Sequence, residues 1–322
     1  MSKGRQRTHK GSSFFRGSRA RIALAIGTTV LVAGGVTWWG VYRIEEYGVA
    51  MFVLTPLLIG LSATVVYGYG RTITLTEASR IAFSTLCVFL LGLVVFAMEG
   101  MICIAMAAPI VLLFTFVGAW LGKMLLDRMP GKSLLSIGVL AAAIPSLAIT
   151  EGGEPRVAPV VTSVIIDARP EEVWEQVVAF PRLTEPDEFL FRAGISYPIE
   201  ATIDGEGVGA VRHCTFNTGS FVEPITVWDP PHLLAFDVEQ QPAPLRELSF
   251  WDIDAPHLHD TFVSQRGQFR LTALPDGRTK LEGTTWYYHD IRPDFYWRWW
   301  SDYIIHRIHE RVLEHIKLQA EG

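Results

Sequence analysis

Two charged residues in the second half of the chain stand where charge is expensive. Arg212 alternates with Val208, Ala210, Cys214 and Phe216, so a strand there puts its guanidinium on an otherwise apolar face. Glu223 falls in the same way between Phe221 and Ile225. On neighbouring strands such a pair can neutralise itself or hold the polar head of a ligand. The same period of two also permits a solvated face, and both readings stand at this point.

Other reactive side chains point nowhere as clearly. Eight of the nine histidines follow residue 200. His306 and His309 are three apart on one helical stretch, close enough to share a ligand, and His257 and His259 sit in an Asp-rich segment, residues 251–260. Zinc sites use such parts. No HExxH and no CxxC occurs, however, so the sequence calls for no metal and no cofactor. Ser220 lacks the GxSxG elbow, and His213 beside Cys214 points to the opposite face of a strand. General acid or base roles for Glu223, His213 or His289 remain open, with nothing to select among them.

The elements that must position these residues fall into two halves. The first 154 residues hold 13 Lys and Arg against 7 Asp and Glu, whereas the rest hold 15 against 26. A hydrophobic share of 49% is concentrated in the first half, which implies two different solvents. The acidic second half excludes a nucleic-acid footprint, which needs clustered basic residues. The three cysteines form no disulfide framework.

Five apolar runs suit membrane helices of about 20 residues: 22–41, 49–69, 81–98, 101–122 and, shorter and carrying Pro145, 133–150. The long third apolar region is broken by Glu99 and Gly100. A carboxylate at mid-membrane costs a few kcal/mol, so a tight hairpin is expected there. The tail 1–21 carries Lys3, Arg5, Arg7, Lys10, Arg16, Arg19 and Arg21 and no acid, which fixes it in the cytoplasm. Arg71 and Arg80, then Lys123, Arg128 and Lys132, mark the later cytoplasmic connections. Five crossings put the second half outside the cytoplasm; a fifth run that fails to cross would leave it inside. The first run ends in Trp38 and Trp39, unlike a cleavage site.

A polar linker, 151–159, leads into a domain expected over 160–322. It opens with the β-branched run Val160, Val161, Val164, Ile165 and Ile166, followed by Pro170 at the start of a short helix, 171–180. From Ser196 to Tyr288 short alternating segments read as a meander of about six strands, with Asp276-Gly277 the clearest hairpin turn. A helix of some 25 residues follows Pro293, with the stripe Ile304, Ile305, Ile308, Val312 and Ile316. Its stripe needs the concave face of a twisted sheet.

This order resembles the START-like, or SRPBCC, superfamily, whose helix-grip fold is shared by polyketide cyclases and lipid-transfer proteins. The resemblance rests on Ala168-Arg169-Pro170-Glu171-Glu172-Val173-Trp174, on Val227-Trp228-Asp229-Pro230-Pro231-His232-Leu233-Leu234-Ala235-Phe236, and on Gly267-Gln268-Phe269-Arg270-Leu271 paired with Gly277-Arg278-Thr279-Lys280-Leu281. It covers residues 158–320 and none of the apolar half. The fold class expected is therefore a membrane α-helical bundle plus an α+β helix-grip domain, its curved antiparallel sheet wrapped around a long C-terminal helix.

The resemblance implies a hydrophobic ligand, lipid or polyketide-like, between that helix and the sheet. Candidate lining residues are Trp174, Arg212, Cys214, Phe221, Glu223, Phe269, Trp286, Tyr288, Trp300, Tyr303, Ile304 and Ile308. The aromatic start of the helix, Phe295, Tyr296, Trp297, Trp299, Trp300 and Tyr303, is too rich for one core; it lines a cavity, touches the membrane or meets another subunit. Expected partners are thus a hydrophobic small molecule or lipid, the membrane and a second copy of the chain. A binding or transfer protein is the leading expectation. A cyclase-type enzyme and a ligand-sensing membrane regulator are the alternatives.

Overall fold

The structure is a computed structural model and describes residues 18–44, 48–129, 131, 133–150, 155–248 and 261–322. Most of the basic tail, Glu45 and Glu46, Lys132, part of the linker and both His257 and His259 lie outside the described residues. The chain forms two compact units. One is residues 1–96 with 107–151, and the other is residues 97–106 with 152–322.

The first unit is helical: α1 (Ser18–Trp39), α2 (Thr55–Gly68), α3 (Leu75–Val95), most of α4 (Met101–Arg128) and α5 (Ser133–Thr150). Among the described residues four helical stretches are long and apolar enough to cross a membrane, Arg19–Tyr42, Ala50–Gly68, Leu75–Val95 and Met101–Arg128, and Ser133–Leu147 is a shorter apolar helix. α3 starts ahead of its apolar run because Thr74 and Glu77 form a capping box. The Glu77 amide donates to Thr74 Oγ1 (3.2 Å), and the Thr74 amide donates to Glu77 Oε2 (2.8 Å). Small residues let α2 and α4 touch backbone to backbone: a Cβ on Gly118 would lie 2.2 Å from the Leu57 carbonyl oxygen, and one on Gly60 would lie 2.0 Å from that of Thr115.

The second unit is the helix grip expected from the sequence. Among the described residues its strands are β1 (Ala158–Ile166), β2 (Pro198–Asp204), β3 (Val211–Phe216), β4 (Gly219–Asp229), β5 (Leu233–Asp237), β6 (Phe262–Ala273) and β7 (Thr279–His289). They form one sheet in the order β1-β7-β6-β5-β4-β3-β2, and every neighbouring pair is antiparallel. Between β1 and β2 lie the short helices α6 (Pro170–Val178) and α7 (Phe189–Arg192), and α8 (Asp294–Glu321) ends the chain. α6 begins at Pro170, whose lack of an N–H costs nothing in a first turn, and Glu171 and Glu172 there favour the positive end of the helix dipole.

The core lies between the sheet and the helices. Ile166, Val173, Val177, Leu234, Leu281, Leu313 and Ile316 are fully enclosed in one cluster. Side chains from β1, α6, β5, β7 and α8 thus bury a shared apolar surface at roughly 25 cal/mol per Å². On β7, Leu281 and Tyr287 are buried on the α8 side, and a Cβ on Gly283 would meet Leu313 at 3.6 Å.

The second unit also contains the turn between α3 and α4, and holds it with a built clamp. Helix N-termini leave their first amides without intrahelical acceptors. Here the Met101 amide donates to the Leu248 carbonyl (3.3 Å), and the Ile102 and Cys103 amides donate to Glu247 Oε2 and Oε1 (3.0 and 3.2 Å). Gly100 leaves room for that carboxylate, since a Cβ there would sit 2.0 Å from Glu247 Oε2. Gly194, at φ +118°, lets the next segment approach: the Arg246 amide donates to its carbonyl (2.8 Å), and a Cβ would fall 2.3 Å from the Arg246 oxygen. Ile102 then packs with Phe191, Ile195 and Leu245, and the Tyr296 hydroxyl donates to the Met106 carbonyl. Beside the clamp Glu99 is buried. Burial, and then the charge of Glu247, push its carboxyl up to about 8.

Candidate functional site in the helix-grip interior

Arg212 and Glu223 are direct register partners on β3 and β4. Both side chains point into the apolar interior, with residue exposures of 2% and 6%. The first of the two open readings is therefore the one realised: the alternation of residues 208–216 and 221–225 faces inward. Arg212 Nη1 donates to Glu223 Oε2. The guanidinium carbon lies 5.5, 5.4 and 5.6 Å from the ring centres of Phe180, Phe236 and Phe269, so the cation is surrounded by three π faces. Among the described residues its Nε has no hydrogen-bond partner, and the Cys214 thiol lies close enough to interact with the same guanidinium.

Burial raises the Glu223 carboxyl above the ordinary carboxylate range, although Arg212 pulls the other way. Cys214, on the same face of β3, is fully enclosed. Burial and the neighbouring Glu223 push its thiol up to about 12, so at neutral pH it is an inert apolar group and no nucleophile. Phe221 and Phe269 pack against the same core, as does Trp174, whose ring meets Trp228 edge-on at 5.5 Å. Six of the twelve residues singled out in the sequence, Trp174, Arg212, Cys214, Phe221, Glu223 and Phe269, thus share one interior.

The other six do not join them. Trp286 and Tyr288 lie on the opposite face of β7, because their neighbours Thr285 and Tyr287 face α8: Thr285 bonds to His309 (2.8 Å) and the Tyr287 hydroxyl to Asp302 (2.6 Å). A strand's period of two reverses every side chain with a one-residue change of parity. Trp286 instead packs under Arg266 at 4.3 Å. Ile304 and Ile308 contact the cluster of Ile102, Phe191, Ile195 and Leu245. Trp300 stacks edge-on against Trp299 (4.9 Å), and Tyr303 is exposed.

Sequence reasoning missed a polar thread between α8 and the sheet. The Thr162 hydroxyl on β1 meets Nδ1 of both His306 (2.7 Å) and His309 (3.0 Å), and His309 Nε2 reaches Thr285 on β7. The spacing of the two histidines was visible, but their partner threonines come from strands more than a hundred residues and about twenty residues away. Burial, then the charge of His306, hold the His309 imidazole down to about 4, so it is neutral at physiological pH. Phe180 and Phe236, the other two rings around the guanidinium with Phe269, stood in the sequence only as the end of the helix 171–180 and of the run 227–236.

Residues 158–290 match the family model described as polyketide cyclase / dehydrase and lipid transport. Residues 158–290 carry a START-like domain of this type. Among solved structures the START-like domain is similar to the Zhui aromatase/cyclase from a Streptomyces species, at 16% identity over 52% of this chain and 94% of that one with a TM-score of 0.35. It is also similar to a truncated norcoclaurine synthase from Thalictrum flavum, at 13% identity over 52% and 95% with a TM-score of 0.32. No curated protein sequence matches the chain.

Proposed function

We propose that the chain is a membrane-anchored START-like protein that binds or transfers a hydrophobic ligand bearing one polar group, on the extracytoplasmic side. The observation carrying this reading is the Arg212–Glu223 pair. A buried ion pair costs desolvation that its own attraction barely repays, and an apolar pair of similar volume commonly serves stability as well or better. Its presence in an apolar, aromatic interior, with the Arg212 Nε donor unpaired among the described residues, suits recognition of a polar head on an apolar molecule. The family description, lipid transport among its terms, agrees with that ligand class.

The clamp supports the extracytoplasmic placement. The basic residues before α1 favour a cytoplasmic N-terminus, so three crossings leave the α3–α4 turn outside. The START-like domain holds that turn through Glu247 and Leu248, hence both belong on one side. This agrees only with a chain in which the short helix α5 also crosses.

Native mass spectrometry of the full chain released from detergent micelles tests ligand binding. The wild type should retain a co-purified or added lipid, and the Arg212→Met/Glu223→Leu variant should release it. Wild-type protein that emerges bare after incubation with phospholipids, fatty acids and aromatic polyketides would end this reading. One observation favours a cyclase-type enzyme as the second reading: Glu223 is a carboxyl enclosed in the interior, and burial shifts its proton affinity upward, the direction that suits a general acid. That reading predicts that Glu223→Gln binds ligand yet turns nothing over.

A further inference from the structure

The first turns of α8 leave three large aromatic side chains uncovered. Phe295, Trp299 and Tyr303 follow one another at intervals of four and therefore share one helix face. They are 76%, 61% and 44% exposed. Trp299 and Tyr303 stack with an interplanar angle of 11° and ring centres 6.2 Å apart, so the two rings lie nearly parallel along that face. An exposed apolar patch of this kind marks an interaction surface.

What covers it follows from the adjacent residue. Tyr296, beside Phe295, donates its hydroxyl to the Met106 carbonyl of α4. Met106 is five residues inside the start of a candidate span, Met101–Arg128. At 1.5 Å per residue that is roughly 7.5 Å along the helix, about the thickness of the headgroup layer on one side of a bilayer. A side chain that reaches this carbonyl holds the start of α8 at the depth where the hydrocarbon begins. Trp and Tyr favour that depth, with their rings among the acyl carbonyls and their polar tips toward water.

We infer that the Phe295–Trp299–Tyr303 face of α8 is a membrane-docking surface, seated in the interfacial layer of the leaflet that α4 enters. This rests on α4 being a span, and not on the ligand proposed above. Docking brings the middle of α8, where Ile304 and Ile308 meet Ile102 and Phe191, next to the lipid.

The test uses the full chain in phosphatidylcholine nanodiscs doped with a phosphatidylcholine that carries a diazirine near the carbonyl end of one acyl chain. After irradiation, adducts are mapped by mass spectrometry. Adducts should appear on Phe295 and Trp299 as well as on α4, and not on the Asp276–Arg278 turn. The Phe295→Ser/Trp299→Ser variant should lose those on α8, keep those on α4 and melt like the wild type, because both side chains are mostly exposed. Labelled α4 with unlabelled α8 overturns the inference, as does a stripe found joined only to a second copy of the chain. Absence of label from both helices overturns the span reading and the inference together.

Discussion

At the residue scale the interior charge pair is the most informative feature. Arg212→Met leaves Glu223 buried without its cation, which costs about 3–5 kcal/mol. Arg212→Met/Glu223→Leu should recover most of that loss, since an apolar pair avoids the desolvation of two charges. Chemical denaturation of the full chain in micelles checks both values, and a double variant no more stable than the single one would contradict the account. His309 gives a second expectation. Its folded state resists protonation down to about 4, whereas an ordinary histidine accepts a proton near 6.5. The unfolded chain therefore binds more protons between those values, and stability present above 6.5 is lost progressively as pH falls to about 4. The groups facing it are Thr162, Thr285 and His306. Melting curves should show that decline, and His309→Gln should flatten it. Of this site, Arg212 and Glu223 were legible because two charges interrupting apolar alternation are rare and local. Trp286 and Tyr288 misled because apolar residues of both parities occupy that stretch of β7, so composition alone gives no sense of which face is inner.

At the element scale, strands, hairpin turns and the terminal helix were legible because each rests on local pattern: alternation, Asp276-Gly277, and the stripe ending in Val312 and Ile316. The clamp on α4 was not. Glu247 accepts amides almost 150 residues away in sequence, and nothing in the segment 245–248 announces a helix cap. Glu247→Ala removes acceptors from two first-turn amides and should cost about 1 kcal/mol locally. Hydrogen exchange at Ile102 and Cys103 should speed up while β6 and β7 keep their protection. The clamp also depends on pH. Glu99 holds its proton to about 8, against an ordinary value of 4.5, through burial and the nearby Glu247 charge. The folded state then binds more protons between those values, so the stability tied to a protonated Glu99 beside the clamp is lost as pH rises from 4.5 through about 8. Exchange at the same amides, corrected for intrinsic rates, should rise over that window, and Glu99→Gln should abolish the rise. An unchanged profile in the variant would show that another group governs it.

At the scale of the whole molecule, the division into an apolar helical half and an acidic α+β half was legible from composition, because two solvents select two compositions. The side of the membrane was not, since counting crossings depends on the short helix α5. The clamp shortens that count to the first three helices and leaves α5 out of it, because residues 97–106 form one compact unit with the START-like domain. The account turns on the α3–α4 turn and the domain sharing one side, which fixes the ligand pool the domain meets. A paired reporter measures this directly: alkaline phosphatase, active only outside the cytoplasm, and a green fluorescent protein that matures only inside, each fused after Gly322. The account predicts active phosphatase and dark fluorescent protein. Fluorescence with silent phosphatase would put the domain in the cytoplasm and contradict it.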